Sequence, residues 1–373
     1  MERVIGTPPD LCERRTNLES SFLTFYQKLG YKVQRPVSIY PSVDETTLFV
    51  GSTISVLKKS LGTNADLREG ICLVQPCLRT QPRRDLANMA YIPDYNSFFH
   101  QAGILTGSGS YKEVCDTAFD FLTSLLMIQP EFIRVQTSSQ FPEISDYWKK
   151  RFPNNTIADS HPQNYYKWRY GEDGLTGVGI TFSVRSNLIS EYRDIGNVII
   201  MSKDTKETAI EWGFGIETLL SRIHGLPKPQ SASRICDFVS FEPGPKEKFL
   251  DALVASIEML KSDIRPGRSG GEKQILRDHL KVVHFLGRKL NIDRETIKNL
   301  IDQYSIDCNS LDISGRILEL LQIRDGKLNE YMENVPKVIG SCKSSGAKVE
   351  DKLRNLAGRL GLWAIETEEV ETL

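Results

Sequence analysis

The spacing of apolar residues changes several times along the chain. In residues 17–29, Leu18, Phe22, Phe25 and Leu29 recur at three- and four-residue spacing, which predicts a helix with Asn17 as N-cap and Gly30 as stop. Short segments follow: KVQRPVSIY, TTLFV, GICLVQPCLRT and NSFFHQAGIL. They are rich in β-branched and aromatic residues and broken by Pro and Gly, so they read as strands. Residues 112–128 return to helical spacing, with Val114, Ala118, Phe121, Leu122 and Leu125 on one side. From 157 to 201 the pattern is strand-like again, punctuated by YGEDGLTGVG, and residues 213–226 read as a glycine turn running into a helix. The stretch PKPQSASRICDFVSFEPGPKEK is rich in Pro, Ser and Lys and reads as a linker or exposed loop. Beyond it, helical spacing holds over 246–261, 271–290, 294–303 and 311–332; Gly340–Gly346 reads as a loop and ETEEVETL as an acidic tail. No internal repeat is visible. The pattern predicts an α+β domain over residues 1–230 and an all-helical domain over 231–373.

Composition narrows the function class. A chain of 373 residues has room for two or three domains, and 40% hydrophobic with 25% charged residues is ordinary globular usage. The formal net charge of −1 gives no overall field towards nucleic acid, so any such contact must come from local patches. Cys12, Cys72, Cys77, Cys115, Cys236, Cys308 and Cys342 form no CxxC pair, and the five histidines are dispersed. A structural metal site is therefore not expected, and reduced thiols of a cytoplasmic protein are. The N-terminus has no apolar signal region and no stretch approaches the length of a membrane span.

The densest chemistry lies in LVQPCLRTQPRRDLANMAYIPDYNSFFHQAG, residues 73–103. Arg79 ends one strand, a basic loop with Arg83 and Arg84 follows, and Phe98-Phe99-His100 opens the returning strand. A guanidinium holds a phosphate and a carboxylate in fixed geometry, and an aromatic face stacks on a purine. The two phenylalanines must face opposite sides of a strand, so only one can be a platform.

This arrangement resembles motif 2 of class II aminoacyl-tRNA synthetases, and RDLANMAY with the Phe pair is most similar to the alanyl type. DETTLFVGSTISVLKKSLG (44–62) looks like its motif 1 region, EWGFGIETLLSR (211–222) like motif 3, and SDIRPGRSGGEKQILRDHLKVVHFLG (262–287) like its segment leading into a tRNA-recognising helical domain. Four segments stand in the right order across about residues 15–290. The departures are specific. The motif 3 arginine is Thr218, with Arg222 one turn further on, about 5–6 Å along a helix axis. The motif 3 aspartate is Glu211, the motif 2 glutamate is His100, and a second motif 2 arginine falls on Asp94.

The resemblance implies a class II antiparallel sheet flanked by helices, then an all-α domain, without the family's editing and C-terminal domains. It implies ATP and Mg²⁺ as cofactors and activation of a small, alanine-like amino acid as its adenylate, with transfer to tRNA. By the same resemblance Arg79 is the catalytic arginine. ATP would meet Arg79, Arg83, Arg84, Phe99, His100, Gly213, Gly215, Glu217 and Arg222. The amino acid would meet Glu211, Tyr166, Trp168 and Trp212, with Tyr165 in the same aromatic cluster. Lys273, Arg277 and Lys281, one face of a basic helix, would meet RNA. The partners are thus ATP, a small amino acid and tRNA, with no membrane and a homodimer left open. The alternatives are a paralogue that ligates an amino acid to a small molecule, and a catalytically degenerate tRNA- or partner-binding protein.

Overall fold

The computed structural model describes residues 10–40, 47–58, 61, 67, 69–171, 174–239, 244–267, 270–306, 312–345 and 348–371. The chain divides into two compact units, one of Met1–Arg79 with Pro93–Glu242, the other of Thr80–Ile92 with Pro243–Leu373. Part of the motif 1-like region, including Asp44, Glu45 and Thr46, and Glu172 and Asp173 of the YGEDGLTGVG segment fall outside the described residues.

Among the described residues the first unit has nine strands: β1 (Lys32–Val33), β2 (Ile71–Leu78), β3 (Phe98–Gly107), β4 (Ile133–Thr137), β5 (Thr156–Ala158), β6 (Lys167–Arg169), β7 (Leu175–Val184), β8 (Arg193–Lys203) and β9 (Lys206–Gly215). They run in the order β1-β2-β3-β9-β8-β7-β4-β5, with β6 on β7. The long central strands are antiparallel, as expected, but β1 on β2 and β5 on β4 are parallel, so the sheet is mixed. With the helices that follow, the fold class is the expected α+β. Helices α1 (Leu11–Lys28), α2 (Thr53–Leu57), α4 (Tyr111–Asp120), α5 (Pro142–Arg151) and α6 (Ile216–Ile223) belong to this unit, and the short α3 (Arg83–Ala87) to the other.

Alternation of side chains along the central strands separates two cores. Ile210, Trp212 and Phe214 of β9, with Ala102 and Ile104 of β3, enter the larger core with Phe22 and Tyr26 of α1 and Leu219 and Leu220 of α6. The other face carries a smaller core of Ile71, Leu73 and Cys77 from β2, Phe99 and Leu105 from β3, and Ile54, Val56 and Leu57 from α2. At Gly103 this second layer comes too close for a side chain, since a Cβ there would stand 2.4 Å from the Thr53 hydroxyl oxygen.

The second unit is all helical: α7 (Pro245–Lys261), α8 (Glu272–Lys289), α9 (Arg294–Tyr304), α10 (Ile313–Ser345), α11 (Val349–Leu360) and α12 (Ala364–Glu371), joined by α3. Two expectations are corrected here. The loop predicted at Gly340–Gly346 is largely helix, because α10 runs on through Pro336 and Gly340 to Ser345. Leu328, Tyr331, Val335 and Val338 pack with Leu353 and Leu356 of α11, and that burial outweighs the local breakers. The acidic tail also forms helix, α12. Glu366 is buried, accepts from the Trp363 backbone N–H at 2.7 Å, and pairs with buried Arg324.

Within this unit the loop containing α3 is held by one cation. The Lys248 ammonium is 2% exposed and donates to the carbonyls of Asp85, Asn88 and Tyr91 at 2.5–2.9 Å. Burial lowers its pKa to about 8. Lys248→Met should therefore strand three carbonyls and cost about 2–4 kcal/mol in urea denaturation. Amides of residues 83–91 should lose hydrogen-exchange protection; unchanged protection there would rule out the tether.

Candidate active site

Strand parity places the site. On β9 the face opposite the large core carries Glu211, Gly213 and Gly215; on β3 it carries Phe99 and Gln101; on β8, Asn197. Where glycines replace side chains the sheet surface opens into a cavity of about 410 Å³. Arg79, Phe99, Trp168, Gly213, Gly215, Thr218 and Arg222, from four separated stretches of chain, line it together. A Cβ at Gly213 would stand 3.3 Å from the Ala102 carbonyl oxygen, and one at Gly215 2.9 Å from the Thr218 hydroxyl. Any larger residue at Gly215 would crowd that wall.

Arg79 follows the last residue of β2. Its Nε donates to the Gly51 carbonyl at 2.8 Å, and its guanidinium carbon lies 5.1 Å from the centre of the Phe99 ring. That cation–π contact orients the fork above Phe99, the member of the Phe98–Phe99 pair that faces the cavity. Phe98 faces the other side, edge-on to His100.

Arg222 is the deepest cation of the cavity. It is 2% exposed; Nη2 pairs with Asp94 at 2.6 Å, Nε donates to the Asp194 carbonyl at 3.4 Å, and Nη1 is buried with no partner among the described residues. Lys228 stands 3.7 Å from the same Asp94 carboxylate. Asp194 accepts from Gln136 and Ser183 at 2.8 Å and from the Tyr165 hydroxyl. Asn96, also in the lining, is 2% exposed, and both its amide atoms are buried without a partner among the described residues. Orphaned buried groups of this kind carry a cost that a polar ligand would remove.

Other expected residues lie elsewhere. Trp212 belongs to the large core, stacked near Phe182 and Phe214, because alternation sends it to the face opposite Gly213. Tyr166 is fully buried with its hydroxyl on Ser160, and its neighbour Tyr165 lines the cavity instead. His100 and Glu217 hold each other: Glu217, 4% exposed, accepts from the His100 backbone N–H at 2.9 Å and lies 3.0 Å from its Nδ1. Neither lines the cavity. Arg83 and Arg84 are on α3 of the helical unit, where Arg84 is almost fully exposed. On α8, Lys273 is exposed and Arg277 half-buried, but Lys281 is 2% exposed and paired with Asp278 at 3.1 Å. The surface stripe expected of these three is thus interrupted. The lining residues that were not anticipated include Asn96, Gln101, Thr181, Asp194 and Asn197. The signal available for them is polarity at alternate positions of otherwise apolar strands.

Glu211 faces the cavity side of the sheet but is 5% exposed and outside the lining. Its Oε2 accepts from the Tyr170 hydroxyl at 3.1 Å. Burial raises its pKa to about 7, against the opposing effects of Tyr170 and the Arg79 charge. The folded state therefore holds a proton that the unfolded chain releases near pH 4.5, and stability from this group is present below that pH and lost as pH rises through 7. Relative to the parent, Glu211→Gln should gain stability between pH 4.5 and 7 by about 3 kcal/mol in total. A pH-independent difference in denaturant midpoints would contradict this.

Over residues 17–184 the chain matches the family model of class II (A) tRNA synthetases. It is 21% identical to the alanine–tRNA ligase of Bdellovibrio bacteriovorus over 91% of this chain and 43% of that protein. It is 27% identical to the alanine–tRNA ligase of Coxiella burnetii over 56% of this chain and 27% of that one. A solved structure of a putative aspartyl-tRNA synthetase from Leishmania major Friedlin aligns with a TM-score of 0.38 and 11% identity, over 60% of this chain and 64% of the other. The chain spans less than half the length of these alanine–tRNA ligases. Over residues 17–184 the likeness is thus to a class II tRNA synthetase domain, and the relatives named here are alanine–tRNA ligases.

Proposed function

We propose that the sheet cavity activates a small, alanine-like amino acid with ATP and passes it, as an acyl group, to tRNA. The observation that carries this reading is one cavity holding Arg79, Phe99, Arg222 and a glycine wall. In the first step an oxygen of the amino-acid carboxylate attacks the α-phosphorus, and the bond to pyrophosphate breaks. Such a step needs placement and charge stabilisation more than acid–base chemistry. Arg79 bridges the carboxylate and the α-phosphate, and the adenine lies against Phe99. Arg222, carried on α6 one turn beyond Thr218, faces the leaving phosphates. Trp168 and Tyr165 bound the amino-acid end. In the second step a hydroxyl of the acceptor takes the acyl group and AMP leaves.

Mg²⁺ would neutralise phosphate charge during such a reaction. The carboxylates in the lining, Asp94 and Asp194, are already engaged with Arg222 and with Gln136, Ser183 and Tyr165, so the protein does not offer the ion a carboxylate cage.

A second reading has a specific observation behind it. Arg222 is paired with Asp94 where an ATP-binding arginine would be open, which suits a degenerate relative that binds without catalysis. ATP–pyrophosphate exchange across a panel of amino acids separates the two. Arg79→Ala should reduce exchange at least about a hundredfold, roughly 3–4 kcal/mol of lost transition-state charge stabilisation, with unchanged circular dichroism. Full exchange in that folded variant sinks the assignment of Arg79.

For ATP, Arg222→Lys keeps the charge and loses the fork, and should raise the KM about tenfold or more. Thr218→Arg should lower it. No exchange with any amino acid, in parent or in Thr218→Arg, favours the degenerate reading. The acceptor is tested by filter binding: no tRNA retention at the lowest salt would remove tRNA from the proposal.

A further inference from the structure

The helical unit contains a second cavity, about 580 Å³, with a different composition. Among the described residues six cations line it, Arg83, Arg277, Lys281, Arg324, Lys327 and Arg359, and none of the described lining residues is Asp or Glu. Between them lie apolar residues of three helices, including Leu280, Leu320 and Leu360. A volume of this order is that of a small-molecule site rather than a packing defect.

Two of the cations are inside the protein. Lys281 is 2% exposed and Arg324 6%. Each has one carboxylate partner, Asp278 for Lys281 at 3.1 Å and Glu366 for Arg324, and both carboxylates are buried and outside the lining. Asp278 is also shared with Arg83, at 3.7 Å. The Arg324 Nε is buried with no partner among the described residues. Lys281 also faces the Trp363 ring at 4.7 Å. Arg277 donates to the Gly267 carbonyl at 3.0 Å. Burial lowers the Lys281 pKa, and the nearby charges of Arg324 and Arg83 push the same way, opposed by Asp278. Arg324, Arg83 and Lys281 therefore repel one another across the cavity. Gathering charge in this way is costly unless an anion shares the space.

We propose that this cavity binds a small organic phosphate, about the size of a nucleoside monophosphate. Its phosphate meets Lys281, Arg324 and Arg277, and its organic body rests on Leu280, Leu320 and Leu360. A guanidinium fork meets phosphate bidentately, a phosphate has more oxygens than a carboxylate to share among several cations, and the apolar floor distinguishes the ligand from inorganic phosphate. The burial of Lys281 and Arg324 argues against a nucleic-acid backbone. A duplex passing over the surface meets exposed cations, whereas these two are met only by a group that enters the cavity. This inference does not depend on the chemistry proposed for the sheet cavity.

CMP is a suitable probe, titrated by calorimetry into the full chain, into Arg79→Ala, and into Arg277→Ala/Arg359→Ala. The last two arginines are half-buried and exposed, so their removal should leave the fold intact, as circular dichroism can verify. CMP should bind the parent and Arg79→Ala alike, with affinity falling as salt rises. The double variant should bind about tenfold more weakly or worse while keeping the parent's ATP–pyrophosphate exchange. Inorganic phosphate should bind more weakly than CMP. Undetectable CMP binding at millimolar concentration, equal binding by the double variant, or loss of all binding in Arg79→Ala would overturn the proposal. So would displacement of CMP by a short RNA duplex that binds more tightly, which would assign the cations to RNA instead.

Discussion

The two-residue alternation of the central antiparallel strands is the constraint on which the first unit depends. It lets one sheet serve two purposes. On one face Trp212, Phe214, Ala102 and Ile104 are sealed under α1 and α6. On the other, the same strands present Phe99, Gln101, Gly213 and Gly215, where α2 covers only part of the surface and a cavity remains. A shift of β9 by one residue would put Trp212 into the cavity and glycines into the core. The large apolar face thus fixes register, and register fixes where every candidate ligand-binding group stands.

The charge pattern of the cavity follows from the turn after β9. Gly215 leads directly into α6, so Thr218 and Arg222 come round to the same side of that helix, one turn apart. At Thr218 the hydroxyl is packed close to Gly215. A guanidinium at that position would start nearer the strand, while Arg222 reaches the cavity from deeper in the unit. The acidic residue at position 94 then has a physical explanation: without it, Arg222 would be an uncompensated buried cation beside Arg193, whose own pKa burial and Arg222 both lower.

Much of this was readable in the sequence where chemistry and local period coincide. Arg79 ends an apolar strand, Phe99 follows it on the returning strand, and Gly213 and Gly215 stand where two strands approach, and the cavity gathers these residues. The exclusion of Trp212 was also available, since it lies between Glu211 and Gly213 on one strand. What could not be read depends on residues far apart. Asp94 meets Arg222 across 128 positions, and Lys281 is buried against Trp363, which comes from the far end of the helical unit. Tyr165 and Tyr166 exchange places because they sit in a short 3₁₀ turn, where no simple period tells which ring faces inward. The Gly340–Gly346 segment was misread because glycine propensity is weak against the packing of Val335 and Val338 on α11.

The Asp94–Arg222 pair also bears on how the cavity would receive a polyanion. Its members are unequal: Arg222 is 2% exposed, whereas the Asp94 side chain is 52% exposed. Arg222 is held by the Asp194 carbonyl and by its own burial, so leaving the site would expose a cavity and cost the packing of a large side chain. Asp94 can turn to water with little loss, because half of it is solvated already and Lys228 waits beside it. An entering phosphate would therefore replace Asp94 rather than displace Arg222. The Nη1 group, which has no partner among the described residues, would gain one in the same exchange. On this account the carboxylate works as a resident counter-ion, holding Arg222 in place while the cavity is empty and yielding to a stronger anion when one arrives.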